Sequence, residues 1–177
     1  MSEDQFPKTQ AHLNQLIADL SQLQVNVQQI HWYMRGPEFF KLHPKMDDFN
    51  EEFAEQLDEV AERLIALGGK PFATTHEFID HTNLPDEIIE FGQFPLPELM
   101  QHLDHDFRYV RDQYQQGIEI TDEEHDLPTQ DMLNGYKAKM DKLIWMVSAF
   151  LDKGPQENEA KPESPKGPDG QGDPEDN

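Results

Sequence analysis

Four blocks of apolar residues, stepping by three and four along the chain, restrict it to helices packed side by side. The first block runs through Leu13, Leu16, Leu20, Leu23, Val27, Ile30 and Met34, and Gly36-Pro37 stops it. The second takes Leu42, Met46, Phe49, Phe53, Leu57, Val60, Leu64 and Leu67 before Gly68-Gly69. Leu96, Leu99, Leu103, Phe107, Val110 and Tyr114 make the third, which is expected to stop near Gly117. Leu133, Tyr136, Met140, Leu143, Val147 and Phe150 make the fourth. Each block offers water one apolar stripe, and four such stripes are buried together in an all-α bundle.

The connections narrow the topology. A tight turn joins the first two helices, so they run antiparallel. About 26 residues separate the second from the third, far more than the two to eight usual between bundle helices. Within them, Thr74-Thr75-His76-Glu77 has the spacing of a capping box ahead of Phe78 and Ile79, which predicts a short extra helix. A long crossover in the middle of a four-helix bundle is the ferritin-like connectivity. The link before the last helix is short and acidic, with Asp122, Glu123, Glu124 and Asp126.

Charge then limits the function. The 177 residues include 36 acids and 14 bases, a formal net charge of −22. Residues 153–177 hold five Pro, four Gly, seven acids and three Lys, with nothing aliphatic larger than Ala160. That segment cannot bury enough apolar surface to offset its ordering entropy and is expected to be a disordered tail. Residues 1–152 form the bundle domain and are acidic in their own right. Such a surface repels phosphate and attracts cations. With no Cys there is no disulfide, thiolate zinc site or iron–sulfur cluster. No apolar run approaches the roughly 18 residues of a membrane span, and no signal-peptide pattern opens the chain, so a cytoplasmic protein is expected.

One stripe of the second helix carries chemistry. His43, Asp47, Asp58 and Glu62 fall within roughly 100° of arc. At a rise of about 1.5 Å per residue, Asp47 and Asp58 are still some 16 Å apart along the axis. One cation cannot reach both, so the stripe is two i,i+4 half-sites. If the helix packs antiparallel on its own copy about residues 52–53, His43/Asp47 of one chain meets Asp58/Glu62 of the other. His31, beside the turn, can join the first half. Two imidazoles and three carboxylates suit Fe(II), and also Zn(II) or Mn(II). Acids and histidines on a helix face equally make a plain solvated surface, and spacing alone does not separate the two.

The run His31-Trp32-Tyr33-Met34-Arg35-Gly36-Pro37-Glu38-Phe39-Phe40, continuing through Leu42-His43-Pro44-Lys45-Met46-Asp47, resembles the first signature of the Dps miniferritins. Leu57-Asp58-Glu59-Val60-Ala61-Glu62-Arg63, followed by Gly68-Gly69, is similar to the second, and Trp145 falls where that family's last helix carries a Trp. The resemblance spans about residues 10 to 152.

It implies a hollow cytoplasmic dodecamer that oxidises Fe(II), preferentially with hydrogen peroxide, and stores ferric iron. His31, His43, Asp47, Asp58 and Glu62 would be its intersubunit ferroxidase ligands. Trp32 and Trp145 would lie nearby as radical quenchers, although packing in the core accounts for a Trp as well. Asp122, Asp126 and Asp131 would line a three-fold pore that draws iron in, unless they are only a solvated acidic loop. Members of the family that bind DNA commonly use a Lys/Arg-rich extension. Met1–Gln10 holds one Lys and two acids and the tail is acidic, so no DNA binding is expected. The rival reading is a non-catalytic acidic buffer of divalent metals, or a protective shell associated with DNA. Glu98, His102, His105 and Asp106 also have ligand-like spacing but are expected on a solvated surface. His76 and His81 belong to the crossover.

Overall fold

The computed structural model describes residues 5–156, which form five helices and no strand among the described residues. They are α1 (Pro7–Tyr33), α2 (Phe39–Ala66), α3 (Thr75–His81), α4 (Leu96–Glu124) and α5 (Leu127–Phe150). None of them is long and apolar enough to cross a membrane. Side-chain contacts fix their directions. Asn50 reaches back to Gln28, so α1 and α2 are antiparallel. Phe107 meets both Phe49 and Phe53, and Tyr114 donates to Gln56, so α2 and α4 run parallel. Lys139 pairs with Glu52 while Arg63 donates to Thr129, which sets α5 antiparallel to α2. This is the ferritin-like order expected from the long crossover.

The core is the set of stripes read from the sequence. Leu13, Leu16, Leu20, Leu23 and Val27 of α1 are fully enclosed against Phe53, Val60 and Leu64 of α2 and Leu103, Phe107 and Val110 of α4. Truncating either of the two interlocked phenylalanines to Ala would cost about 3–5 kcal/mol by cavity formation. The short α3 starts where local chemistry dictates. Thr74 accepts from the Glu77 amide while Glu77 accepts from the Thr74 amide, a complete capping box. Asp19, wholly buried on α1, pins the crossover by accepting from Thr82 and the Asn83 amide, and ties in α4 by accepting from Tyr109.

Two boundaries differ from expectation. Gly117 does not end its helix; α4 continues for seven more residues to Glu124. The glycine is there for packing, since a Cβ would stand 2.7 Å from Leu133 Cδ1 and 2.9 Å from His12 Cδ2. Asp122, Glu123 and Glu124 therefore belong to the last turn of α4, and only His125 and Asp126 link it to α5. The bundle also holds the chain past residue 152. The Lys153 amide donates to Ser148, and Arg108 donates to the Pro155 carbonyl at 2.7 Å. The rest of the expected tail, residues 157–177, lies outside the described residues.

Candidate metal centre

The turn between α1 and α2 builds the first half-site. Met34 leaves the helix in an extended conformation, and Gly36, at φ +116°, supplies a backbone state that side-chain-bearing residues rarely adopt. The chain reverses and α2 begins at Phe39. Its first turns bring His43 onto His31, with ring centroids 3.8 Å apart. His43 Nδ1 lies 3.1 Å from the His31 carbonyl oxygen. A carbonyl only accepts, so Nδ1 carries the hydrogen and Nε2 keeps its lone pair for a metal. Phe39 stacks on the other side of the His43 ring at 4.6 Å.

His31 is 8% exposed, and its enclosed Nδ1 takes no hydrogen bond. Asp47 Oδ1 stands 3.5 Å from that nitrogen. A buried ring nitrogen without a hydrogen bond beside a carboxylate is an unfinished arrangement, and a cation between them would complete it. Asp47 itself is mostly open, its side chain 66% exposed. Asp58 and Glu62 lie further along α2, both exposed and with no hydrogen bond or ion pair among the described residues. Within one protomer, no group of three or more His, Asp or Glu among the described residues stands in metal-holding geometry. The structure sets His31 beside both His43 and Asp47, short of a three-ligand group, and leaves Asp58 and Glu62 further along α2, as the helical rise requires.

A ferritin-like domain model matches residues 10–156. The DNA protection during starvation protein of Listeria monocytogenes is 50% identical over 149 residues, covering 84% of this chain and 95% of that protein. Its X-ray structure superposes with a TM-score of 0.82, covering 84% of this chain and 96% of that one. Dps from Listeria innocua, in a structure soaked with cobalt, gives the same score at 49% identity, covering 84% of this chain and 95% of that one.

The chain belongs to the Dps family of ferritin-like proteins.

The acids of this Dps chain at and beside the expected pore, Asp122, Glu123, Glu124, Asp126 and Asp131, gather at the other end of the bundle, and Glu123, Glu124 and Asp126 are tied into the protomer. Glu124 accepts from the Lys8 and Thr9 amides, capping α1 from outside. Glu123 pairs with the Lys8 ammonium at 2.9 Å. Asp126 is 1% exposed; it caps α5 through Thr129 and pairs with Arg63 at 2.8 Å. Asp126 is thus a buried structural acid in the protomer rather than part of a solvated loop, because the two helices it joins need its oxygens. Asp122 and Asp131 remain exposed.

The tryptophans depart from the core-packing alternative. Trp32 is 66% and Trp145 53% exposed. Trp32 borders a groove with Val25, Gln28, Asn50 and Ala54, along the α1–α2 face that carries the half-sites. Phe39 was left out of the candidate centre read from the sequence, where it stacks on His43. Its signal was present, since it lies four residues before His43 and so on the same helix face.

Proposed function

We propose that this Dps chain stores and detoxifies iron, oxidising Fe(II) at centres shared between two copies in a homo-oligomeric, dodecameric shell. The observation that carries the reading is the unsatisfied ring nitrogen of His31, at the end of α1, beside His43 and Asp47, which share the α2 stripe of Asp58 and Glu62. A two-fold through the middle of α2 unites the halves into two equivalent centres. Fe(II) is the substrate and iron the cargo. Zn(II) and Mn(II), which accept the same donors, would compete for the site.

The residues divide the work. The imidazoles of His31 and His43 favour Fe(II), a cation of intermediate softness, and the carboxylates favour the harder Fe(III) product. The His31 carbonyl and the Phe39 ring hold the His43 ring in place. Two Fe(II) give one electron each to hydrogen peroxide; with two protons the O–O bond breaks to two waters, leaving two Fe(III). Dioxygen is the alternative oxidant. Pairing the electrons avoids hydroxyl radical, and the exposed Trp32 and Trp145 offer a sink for any that escapes. Asp122 and Asp131, with the paired charge of Asp126, supply the negative potential of a pore at the α4–α5 end.

Relatives carry the name DNA protection during starvation protein. For this chain, protection is proposed to act through iron and peroxide chemistry, without DNA binding. A twelve-chain shell would carry a formal charge on the order of −260, which repels phosphate. The test is anaerobic Fe(II) loading followed by stoichiometric peroxide, with iron measured across a size-exclusion profile. Iron co-eluting with the shell, and lost from it in His31→Ala and Asp58→Asn, supports the reading. Unchanged peroxide-driven oxidation in both variants would leave a passive metal buffer. Retardation of DNA by metal-free protein would reject the second part.

A further inference from the structure

Four aspartates are buried among the described residues: Asp19, Asp104, Asp106 and Asp126. A buried carboxylate is costly unless a cation or several hydrogen bonds offset it. Asp104 has Arg108 at 2.9 Å, and Asp126 has Arg63 at 2.8 Å. Asp19 accepts from four groups, Gln15, Thr82, the Asn83 amide and Tyr109. Asp106 is the exception. At 3% exposure it has one neutral donor, Asn26 Nδ2 at 2.8 Å, and a neighbouring imidazole, His105 Nδ1 at 3.6 Å. The solvated surface expected for this stretch of sequence does not form at Asp106, because α1 and the crossover close over it.

Asp106 also borders a cavity of about 490 Å³ between α1, the crossover and α4, with Ile30, Ile89 and Leu99 among its apolar walls and His102 and His105 on its polar side. We propose that His102, His105 and Asp106 form a second metal site, for a divalent transition cation, separate from the α1–α2 centre. On a helix, positions i, i+3 and i+4 fall within about 100° of arc, so all three side chains leave α4 on one face. Two imidazoles with one carboxylate select Zn(II), Co(II) or Fe(II) over the hard, oxygen-seeking Ca(II) and Mg(II). The three donors do not converge as they stand. His102 rests edge-on against Phe94, with ring centroids 5.0 Å apart. Both histidines are exposed, so closing on the carboxylate needs only rotamer changes. Asp106, held by Asn26, is the fixed point. The cation supplies the positive charge that the other buried aspartates receive from arginine or from a full set of donors.

The experiment uses full-length, metal-free protein carrying His31→Ala and Asp58→Asn, which removes the first centre. Co(II) is titrated in and followed by its ligand-field absorption, and crystals soaked in Co(II) are read by anomalous scattering. The expected result is about one Co(II) per chain between α1 and α4, with affinity at least about tenfold weaker after His102→Ala or His105→Ala. In otherwise unaltered protein, the same two changes leave peroxide-driven iron oxidation as it was. Absence of Co(II) binding in the His31→Ala/Asp58→Asn protein overturns the site, as does binding that is indifferent to both histidines. In those cases a proton alone satisfies Asp106, and Asp106→Asn then stabilises the fold with no metal dependence.

Discussion

His43 Nδ1 donates to the carbonyl oxygen of His31, 3.1 Å away, so the backbone of one proposed ligand orients the ring of the other. Phe39 holds that ring from its other face. Replacing Phe39 with Leu should keep the fold, because the position is only half-buried at the start of α2. It should loosen His43 and lower the initial rate of peroxide-driven Fe(III) formation by about tenfold. Equal rates in the two proteins would mean that the stacking is incidental.

Asp126 caps α5 and pairs with Arg63 from within the core. Asp126→Ala removes both interactions. Loss of the cap costs about 1 kcal/mol. Arg63, whose side chain is 25% exposed, then loses its partner but can turn towards water. The total should be about 2–4 kcal/mol, at the lower end for a broken buried pair. Asp126→Asn keeps a capping oxygen and should recover roughly the 1 kcal/mol of the cap. Thermal unfolding of the three proteins at one concentration separates the contributions, and equal midpoints for Asn and Ala would show that the cap adds nothing.

Gly117 offers a converse test. In a free helix, Gly→Ala stabilises by about 1 kcal/mol. Here the new methyl would stand within 3 Å of Leu133 and His12, and overpacking of that kind costs about 1–3 kcal/mol. Gly117→Ala should therefore lower the unfolding midpoint. A rise would mean that α5 and His12 yield without strain.

The position of Gly117 also shows what the sequence could not reveal. A glycine after Tyr114 reads locally as a helix stop, yet the residues that require it, His12 and Leu133, lie on two other helices. Most other local signals were legible. The capping box of α3, the Gly36 turn and the three-and-four stripes each involve neighbours along the chain, and each stands in the structure as read. That His31 meets His43 and Asp47 was legible for the same reason, these being two adjacent turns of α2 beside the end of α1. Whether an exposed stripe stays exposed was not legible. Asp106 is covered by a crossover more than fifteen residues away in the chain, and Asp126 is taken by Arg63 of α2. The tryptophans invert the usual expectation, standing exposed where so large an apolar side chain is usually enclosed.

Burial pushes the His12 imidazole below the ordinary histidine range, more than the Gln113 carbonyl at 2.8 Å raises it. The folded form therefore resists protonation that the unfolded chain accepts below about pH 6.5. Above that pH His12 has no effect on the pH dependence. Below it, stability falls with pH, by at most about 1.4 kcal/mol per unit for one proton, until the folded value is reached. His12→Gln keeps a donor for Gln113 and removes the titration. Its unfolding midpoint should drop less than that of the parent between pH 7.5 and 5, and parallel curves would assign the acid sensitivity to other groups.

The proposed shared centre makes a prediction that a centre within one chain cannot match. One variant carries His31→Ala and His43→Ala; the other carries Asp58→Asn and Glu62→Gln. Each alone should lose peroxide-driven iron oxidation, because every two-fold pair lacks one kind of half-site at both centres. In a mixed two-fold pair, one centre collects all four changes and the other collects none. Unfolding both variants together and refolding them at equal amounts makes about half of the pairs mixed, so about a quarter of the centres are intact. Initial rates should recover to roughly that fraction of the parent. Shells refolded separately and then combined should stay inactive, and they control for exchange. If the ligands of a centre all came from a single chain, refolding the variants together would restore nothing.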